Sequence, residues 1–227
     1  MYTIYYNRLV DKVIIPNIHV DINHTEKFWD TLKGGLLMSA KLVPVGLSNR
    51  HVHLSQEHIE ILFGEGYELK KFKDLGQPGQ YAAEEKIDVV GPKGKLTMRV
   101  LGPARKASQV EISLTDGFAI GVKPPVRNSG DTVDSPGATL VGPKGQVKVE
   151  EGIIAAARHI HMHTDDAEKF GIADKDMVSV QINGDRGLVF NNVLCRVHPT
   201  YALEFHVDID EGNAAGLKNC VEVEVLK

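Results

Sequence analysis

Cysteine and tryptophan are scarce in this chain. Its 227 residues include two cysteines and one tryptophan, and only 6% are aromatic. Cys195 and Cys220 lie far apart and form no Cys-x-x-Cys pair. The N-terminus has no basic start followed by an apolar core, so no secretory signal is read there. Both cysteines are therefore expected as reduced thiols in a cytoplasmic protein. No apolar run approaches the roughly 20 residues that span a bilayer. A surplus of one charge is missing as well: 26 Lys and Arg stand against 30 Asp and Glu, a net charge of −4. That balance argues against nucleic acid or an anionic membrane as a partner.

What remains is an ordinary globular composition, 42% hydrophobic and 25% charged, on a length that suits one large or two small domains. From Lys41 onward the pattern is mainly β. Lys95–Val100 and Leu203–Asp208 alternate polar and apolar residues, as half-buried strands do. Short strands are punctuated by Asn183-Gly184 and by two Val-Gly-Pro-Lys-Gly turns at 90–94 and 141–145. Two short helices are expected: Gln56–Phe63, capped by Ser55 and ended by Gly64, and Asp165–Phe170, capped by Thr164 and ended by Gly171.

Each of these helices follows the same tetrapeptide form, Arg50-His51-Val52-His53 in one place and Arg158-His159-Ile160-His161 in the other. A duplicated unit explains the coincidence. It predicts a mainly β fold of two small six-stranded-type barrels, each capped by short α-helices. Residues 50–156 would form the barrel with the first His-x-His. The other would hold the second His-x-His, in residues 157–227.

Residues 1–37 differ in composition and read as an N-terminal extension. His24–Met38 has weak helical character, interrupted by Gly34-Gly35. Lys33–Met38 also back-translates to AAA GGA GGT TTA TTA ATG, a ribosome-binding site before a start codon. A natural start at Met38 and a genuine extension stand as equal alternatives.

In an extended segment, residues i and i+2 point to one side. His51 with His53, and His159 with His161, can each offer two imidazoles to a metal. A single His-x-His is weak evidence, but two in one repeated context are much stronger. A third donor is expected on a later strand: Glu111 for the first pair and His206 for the second. Three protein ligands leave a coordination position open, as catalytic zinc sites do, although histidine and carboxylate also suit cobalt or manganese. His163 is read as lying outside the ligand set, and His58 and His198 as solvated. Arg105, beside a Gly-Pro at a strand entry, is the candidate for gripping phosphate through its planar fork. Arg50, Arg158 and Arg127 are further candidates for contact with an anionic substrate.

The runs Val45–Ser55, Leu75–Glu85, Leu101–Ser113, Pro125–Arg127, Ala138–Gly145 and Ala157–Met162 together resemble the PduL-type phosphate acyltransferases. The resemblance spans about residues 42–227. It implies two helix-capped β-barrels, with residues 38–49 packed into the barrel of 157–227, two zinc ions per chain, coenzyme A as substrate or product, and a homodimer or higher homo-oligomer. It also implies that His51, His53 and Glu111 hold one zinc, that His159, His161 and His206 hold the other, and that Arg105 binds phosphate. Gln77, within the second run, joins the candidate substrate contacts. Some relatives of this type work in the lumen of a bacterial microcompartment and carry an amphipathic targeting helix, which residues 1–37 do not resemble.

The reaction so implied is reversible transfer of a propanoyl or acetyl group between coenzyme A and inorganic phosphate. Two rival readings use the same histidines. A zinc hydrolase would activate water. A cupin-like metalloenzyme would add Glu57, but Glu57 falls in a segment read as helix where a cupin needs strand. A metal-storage protein is disfavoured by the open coordination positions and the clustered arginines.

Overall fold

The computed structural model describes residues 40–227. The readings made for residues 1–37, the helix at 24–38 and a start at Met38 lie outside the described residues. In chain order the strands are β1 (Leu42–Ser48), β2 (His51–His53), β3 (Lys71–Asp74), β4 (Tyr81–Val90), β5 (Lys95–Gly102), β6 (Gln109–Glu111), β7 (Val126–Arg127), β8 (Ala138–Val141), β9 (Gln146–Val149), β10 (Ile153–Ala156), β11 (His159–Met162), β12 (Met177–Ile182), β13 (Leu188–Val197), β14 (Glu204–Asp208) and β15 (Glu222–Leu226). Four short helices interrupt them: α1 (Gln56–Phe63), α2 (Leu114–Ile120), α3 (Thr164–Phe170) and α4 (Ile209–Ala215).

The strands form two sheets. One is a closed six-stranded barrel in the order β1-β14-β11-β13-β12-β15. Alternating residues such as Val43, Val45, Ile160, Val180, Val193, Phe205 and Val225 fill its core, as the period of two along each strand requires. The other sheet has nine strands, β7-β10-β6-β2-β5-β4-β8-β9 with β3 added to β4. Its core is built from Val52, Leu54, Ile87, Val100, Val110, Leu140 and Ile153 with the buried face of α1. This sheet stays open, where a six-stranded barrel was expected. After α2 the chain inserts four more strands, β7 to β10, which extend both edges of the sheet, whereas only β15 follows α4.

The two Val-Gly-Pro-Lys-Gly turns do the same work. Each closes an antiparallel hairpin, β4–β5 and β8–β9, through Gly91 N–H to Gly94 O at 2.8 Å and Gly142 N–H to Gly145 O at 2.9 Å. Each also docks on a helix end, with Lys93 N–H donating to Ile120 O and Lys144 N–H to Leu62 O. A side chain on Gly91 or Gly142 would run into those same carbonyl oxygens, which accounts for the glycine.

Ser55 caps α1 by accepting the His58 N–H, and Gly64 ends it. The cap of α3 differs from the expectation. His163, in extended conformation, accepts the Asp165 N–H on its ring Nδ1, so the helix begins at Thr164. Among the described residues no helix is long and apolar enough to cross a membrane.

Candidate active site

The first histidine pair lies on β2, between β5 (parallel) and β6 (antiparallel), and all three residues of β2 are buried. Val52 points into the core while His51 and His53 share the other side, facing β6, where Glu111 stands directly opposite His51. His51 Nδ1 lies 2.8 Å from Asn49 O. A carbonyl only accepts, so Nδ1 carries the hydrogen and Nε2 is left free toward Glu111. The Glu111 oxygens sit 3.5 Å from His51 Nε2 and 3.7 Å from His53 Nε2. His53 Nδ1 is buried without a polar partner.

The second pair repeats the arrangement on β11, between β13 (parallel) and β14 (antiparallel), with His206 directly opposite His159. His159 Nδ1 lies 2.8 Å from Ala157 O, again the carbonyl two residues earlier. The rings of His159, His161 and His206 have centroids 4.6–5.0 Å apart. His161 Nδ1 is buried and unpartnered. In each trio, one donor atom per residue lies within 4.8 Å of the other two.

The duplication reaches further than the sequence suggested. Two residues after each third donor comes a helix N-cap, Ser113 of α2 and Asp208 of α4, and three residues later the acid of a capping box, Asp116 and Glu211. Arg50 grips Asp116 at 2.7 and 3.0 Å, and Arg158 grips Glu211 at 2.6 Å. The arginine preceding each histidine pair is thus engaged with the helix that follows the third donor.

The electrostatics leave neutral imidazoles in both trios and an ionised carboxylate in the first. Burial, then the charge of neighbouring histidines, lowers His159 to about 4 and His161 to about 2. Burial, His51 and Arg105 lower His53 to about 3. These rings are held neutral, the form that binds metal. Burial works against ionised Glu111, yet His51, His53 and the Ser129 hydroxyl outweigh it and hold the carboxyl well below its usual range. Burial likewise lowers His51, but Glu111 prevails and raises it. The charge of Glu111 is felt at His159 and His161, so the two trios lie within electrostatic reach of each other. Two nitrogens with a carboxylate oxygen in one trio and three nitrogens in the other are donor sets that could hold a divalent metal ion.

Arg105 follows the Gly102-Pro103 bond that ends β5 and is tied by its backbone N–H to Leu54 O at 2.8 Å. Its Nη1 donates to Ser129 Oγ at 3.3 Å, and that hydroxyl donates to Glu111 Oε1 at 2.7 Å. Burial lowers the guanidinium's pKa; Glu111 opposes this and Arg196 of β13 adds to it. Arg196 also lowers His159 and His161, so a second cation reaches the site from the closed barrel.

Other residues singled out from the sequence have different surroundings. Arg127 pairs with Asp131 at the surface, 3.1 Å away. Gln77 is buried, and its amide is engaged with Ala202 and Glu204. His58 meets Ser108 Oγ at 2.7 Å and His198 meets Thr200 Oγ1 at 2.8 Å. Glu57 lies in the first turn of α1, off any strand. Gln109, Ser129 and Glu204 were missed. The signal for Gln109 and Glu204 was position, two residues before Glu111 and His206 on the same strand face; Ser129 sits in a loop and had none.

A family model described as phosphate propanoyltransferase matches residues 44–218. A phosphate propanoyltransferase of Thermotoga maritima is 58% identical over 184 residues, 80% of this chain and 88% of the relative. One from Rhodobacter capsulatus is 50% identical over 220 residues, 96% of this chain and 97% of the relative. One from Salmonella typhimurium is 50% identical over 184 residues, 80% and 87% of the two chains. With the family model covering both histidine trios and relatives at this identity along nearly their full length, the chain belongs to the phosphate propanoyltransferase family of enzymes.

Proposed function

We propose that this chain catalyses reversible transfer of a propanoyl or acetyl group between coenzyme A and inorganic phosphate, with one zinc ion held by His51, His53 and Glu111 and another by His159, His161 and His206. The observation that carries this reading is the pair of trios within electrostatic reach of each other, with Arg105 at the first of them. When bound, the two ions would supply Lewis-acid charge for phosphate and for the developing oxyanion. Arg105 binds phosphate by charge-assisted hydrogen bonds, and the Ser129 hydroxyl keeps its fork in line with Glu111. Phosphate oxygen adds to the thioester carbonyl carbon, the carbon–sulfur bond breaks, and the hydrogen of monohydrogen phosphate ends on the departing coenzyme A thiolate. The products are acyl phosphate and free coenzyme A. The step is driven by placement and charge, so no enzyme nucleophile takes part. Cys195 suits that reading, because burial pushes its thiol up to about 11.

Release of free coenzyme A from propanoyl-CoA and acetyl-CoA tests the proposal. Release should require phosphate, stop on chelation and return with zinc. Release that proceeds equally without phosphate would establish the hydrolase reading instead.

A further inference from the structure

Gln109 and Glu204 occupy the same place in the two halves of the molecule but have opposite hydrogen-bonding character. Gln109 precedes Glu111 by two residues on β6 and stands opposite His53. Glu204 precedes His206 by two residues on β14 and stands opposite His161. Each therefore shares a strand face with the third donor of its trio.

The Gln109 side chain is buried. Its Nε2 donates to Glu111 Oε1 at 2.6 Å and to Ser129 Oγ at 2.9 Å, while its Oε1 accepts the Gly130 N–H at 2.8 Å. Both ends are fixed, so the amide presents N–H to Glu111 and cannot turn over without losing all three bonds.

Glu204 is fixed as firmly. Its Oε2 lies 3.1 Å from His206 Nε2, off the line of a good hydrogen bond, and accepts from Gln77 Nε2 at 3.0 Å. The carboxylate fills a slot left by Gly46 and Gly76, where any Cβ would overlap its atoms. Gln77 is oriented in turn by Ala202, whose carbonyl takes an Nε2 hydrogen and whose N–H meets Oε1.

A carboxylate donor to a metal can only accept further hydrogen bonds, and it faces an amide N–H. An imidazole that gives one nitrogen to a metal carries hydrogen on the other, and it faces a carboxylate. We propose that Gln109 and Glu204 are the positioning residues of the two metal sites, each matched in hydrogen-bond polarity to the third ligand it serves. This rests on the metal reading given above.

The polarity is what the test addresses. A single oxygen of Glu204, Oε2, meets both His206 Nε2 and Gln77 Nε2. Glu204→Gln preserves shape but removes the negative charge, and an NH2 turned to that position opposes both donors. Glu204→Met, which offers no strong acceptor in either orientation, accompanies it and should weaken the same ion. Gln109→Glu sets two carboxylates face to face. Zinc release from the loaded full-length chain to a chromophoric chelator is the measurement, with His206→Ala and Glu111→Ala as references for complete loss of one ion each. Glu204→Gln should weaken only the ion that His206→Ala removes, by roughly ten- to a hundredfold. Gln109→Glu should weaken only the ion that Glu111→Ala removes. Should Gln109→Glu fail to fold, Gln109→Met, which lacks the N–H, is expected to weaken that same ion. A wild-type chain holding fewer than two ions overturns the metal reading and this one with it. Two ions in the wild type with unchanged release from the variants overturns the positioning role alone. Loss from Glu204→Gln as complete as from His206→Ala makes Glu204 a ligand and also overturns it.

Discussion

Arg105 is held at both ends, by its backbone to Leu54 and by its fork to Ser129. Phosphate near neutral pH carries one to two negative charges, and an ionic hydrogen bond contributes about 1.5–3 kcal/mol. Arg105→Ala should therefore lower catalytic efficiency for phosphate by roughly ten- to a few hundred-fold, with a much smaller effect on acyl-CoA. Arg105→Lys should recover part of it, since a point charge lacks the planar fork. Steady-state kinetics varying each substrate in turn will tell. A raised acyl-CoA constant with unchanged phosphate dependence would move Arg105 to the other substrate. The two thiols give a second residue-scale expectation. Cys195 is buried with its pKa pushed up, whereas Cys220 is exposed. Iodoacetamide on the native protein should label Cys220 and spare Cys195, as peptide mass mapping would show.

At the scale of elements, the repeated device is a strand that delivers the third donor and runs at once into a capped helix. In the second half, the Asp208 side chain accepts the Glu211 N–H, and Glu211 is held by Arg158. Asp208→Ala should cost about 1 kcal/mol, read as a lower denaturant midpoint with an unchanged slope. An unchanged midpoint would mean that the packing of α4 suffices without its cap. Much of this was legible in sequence. Ser55 and Gly64 bracket α1 because their chemistry is specific to helix ends, and the histidine pairs stood out because alternate residues of a strand share a face. His163 was passed over as a cap because Thr164 fits the usual preference and a ring nitrogen seldom serves. The arginine grips and the Gln77–Glu204 contact join residues far apart in the chain, which no local pattern encodes. The open sheet was missed for a related reason: β7 and β10 are short strands whose partners are set by tertiary pairing.

For the molecule as a whole, both trios and the whole span matched by the family model lie beyond residue 37. Deletion of residues 1–37 should therefore leave a folded, active protein. Loss of solubility or of the cooperative melt would show that the extension contributes to folding. The stripped protein should also be sensitive to acid. His53, His159 and His161 are lowered to about 3, 4 and 2 from a usual value of 6.5. As pH falls below 6.5 the unfolded chain takes up protons at these rings that the folded chain refuses. Stability is lost across that window, by about 1.4 kcal/mol per pH unit for each ring. His51 shifts the other way, so its contribution is already complete below 6.5. Urea midpoints of metal-free protein at pH 7.5, 6 and 5 should decline; a flat series would mean that the rings titrate alike in both states.

The placement of β1 has a consequence for how the protein is made. The chain lays down one stave of the closed barrel, leaves it to build the whole of the other sheet, and returns for the remaining five staves. Val45 must wait for Phe205, and Leu42 for Glu224, before either has its strand partner. Such distant pairings form slowly. A nascent chain emerging from the ribosome can assemble the first trio while the second is still being translated. The ring closes only when β15 seats between β1 and β12. If the trios hold metal as proposed, loading should then be sequential during biosynthesis, first in the open sheet and later in the barrel, so that a chain truncated before its last strand keeps an assembled first trio beside a barrel that has not closed.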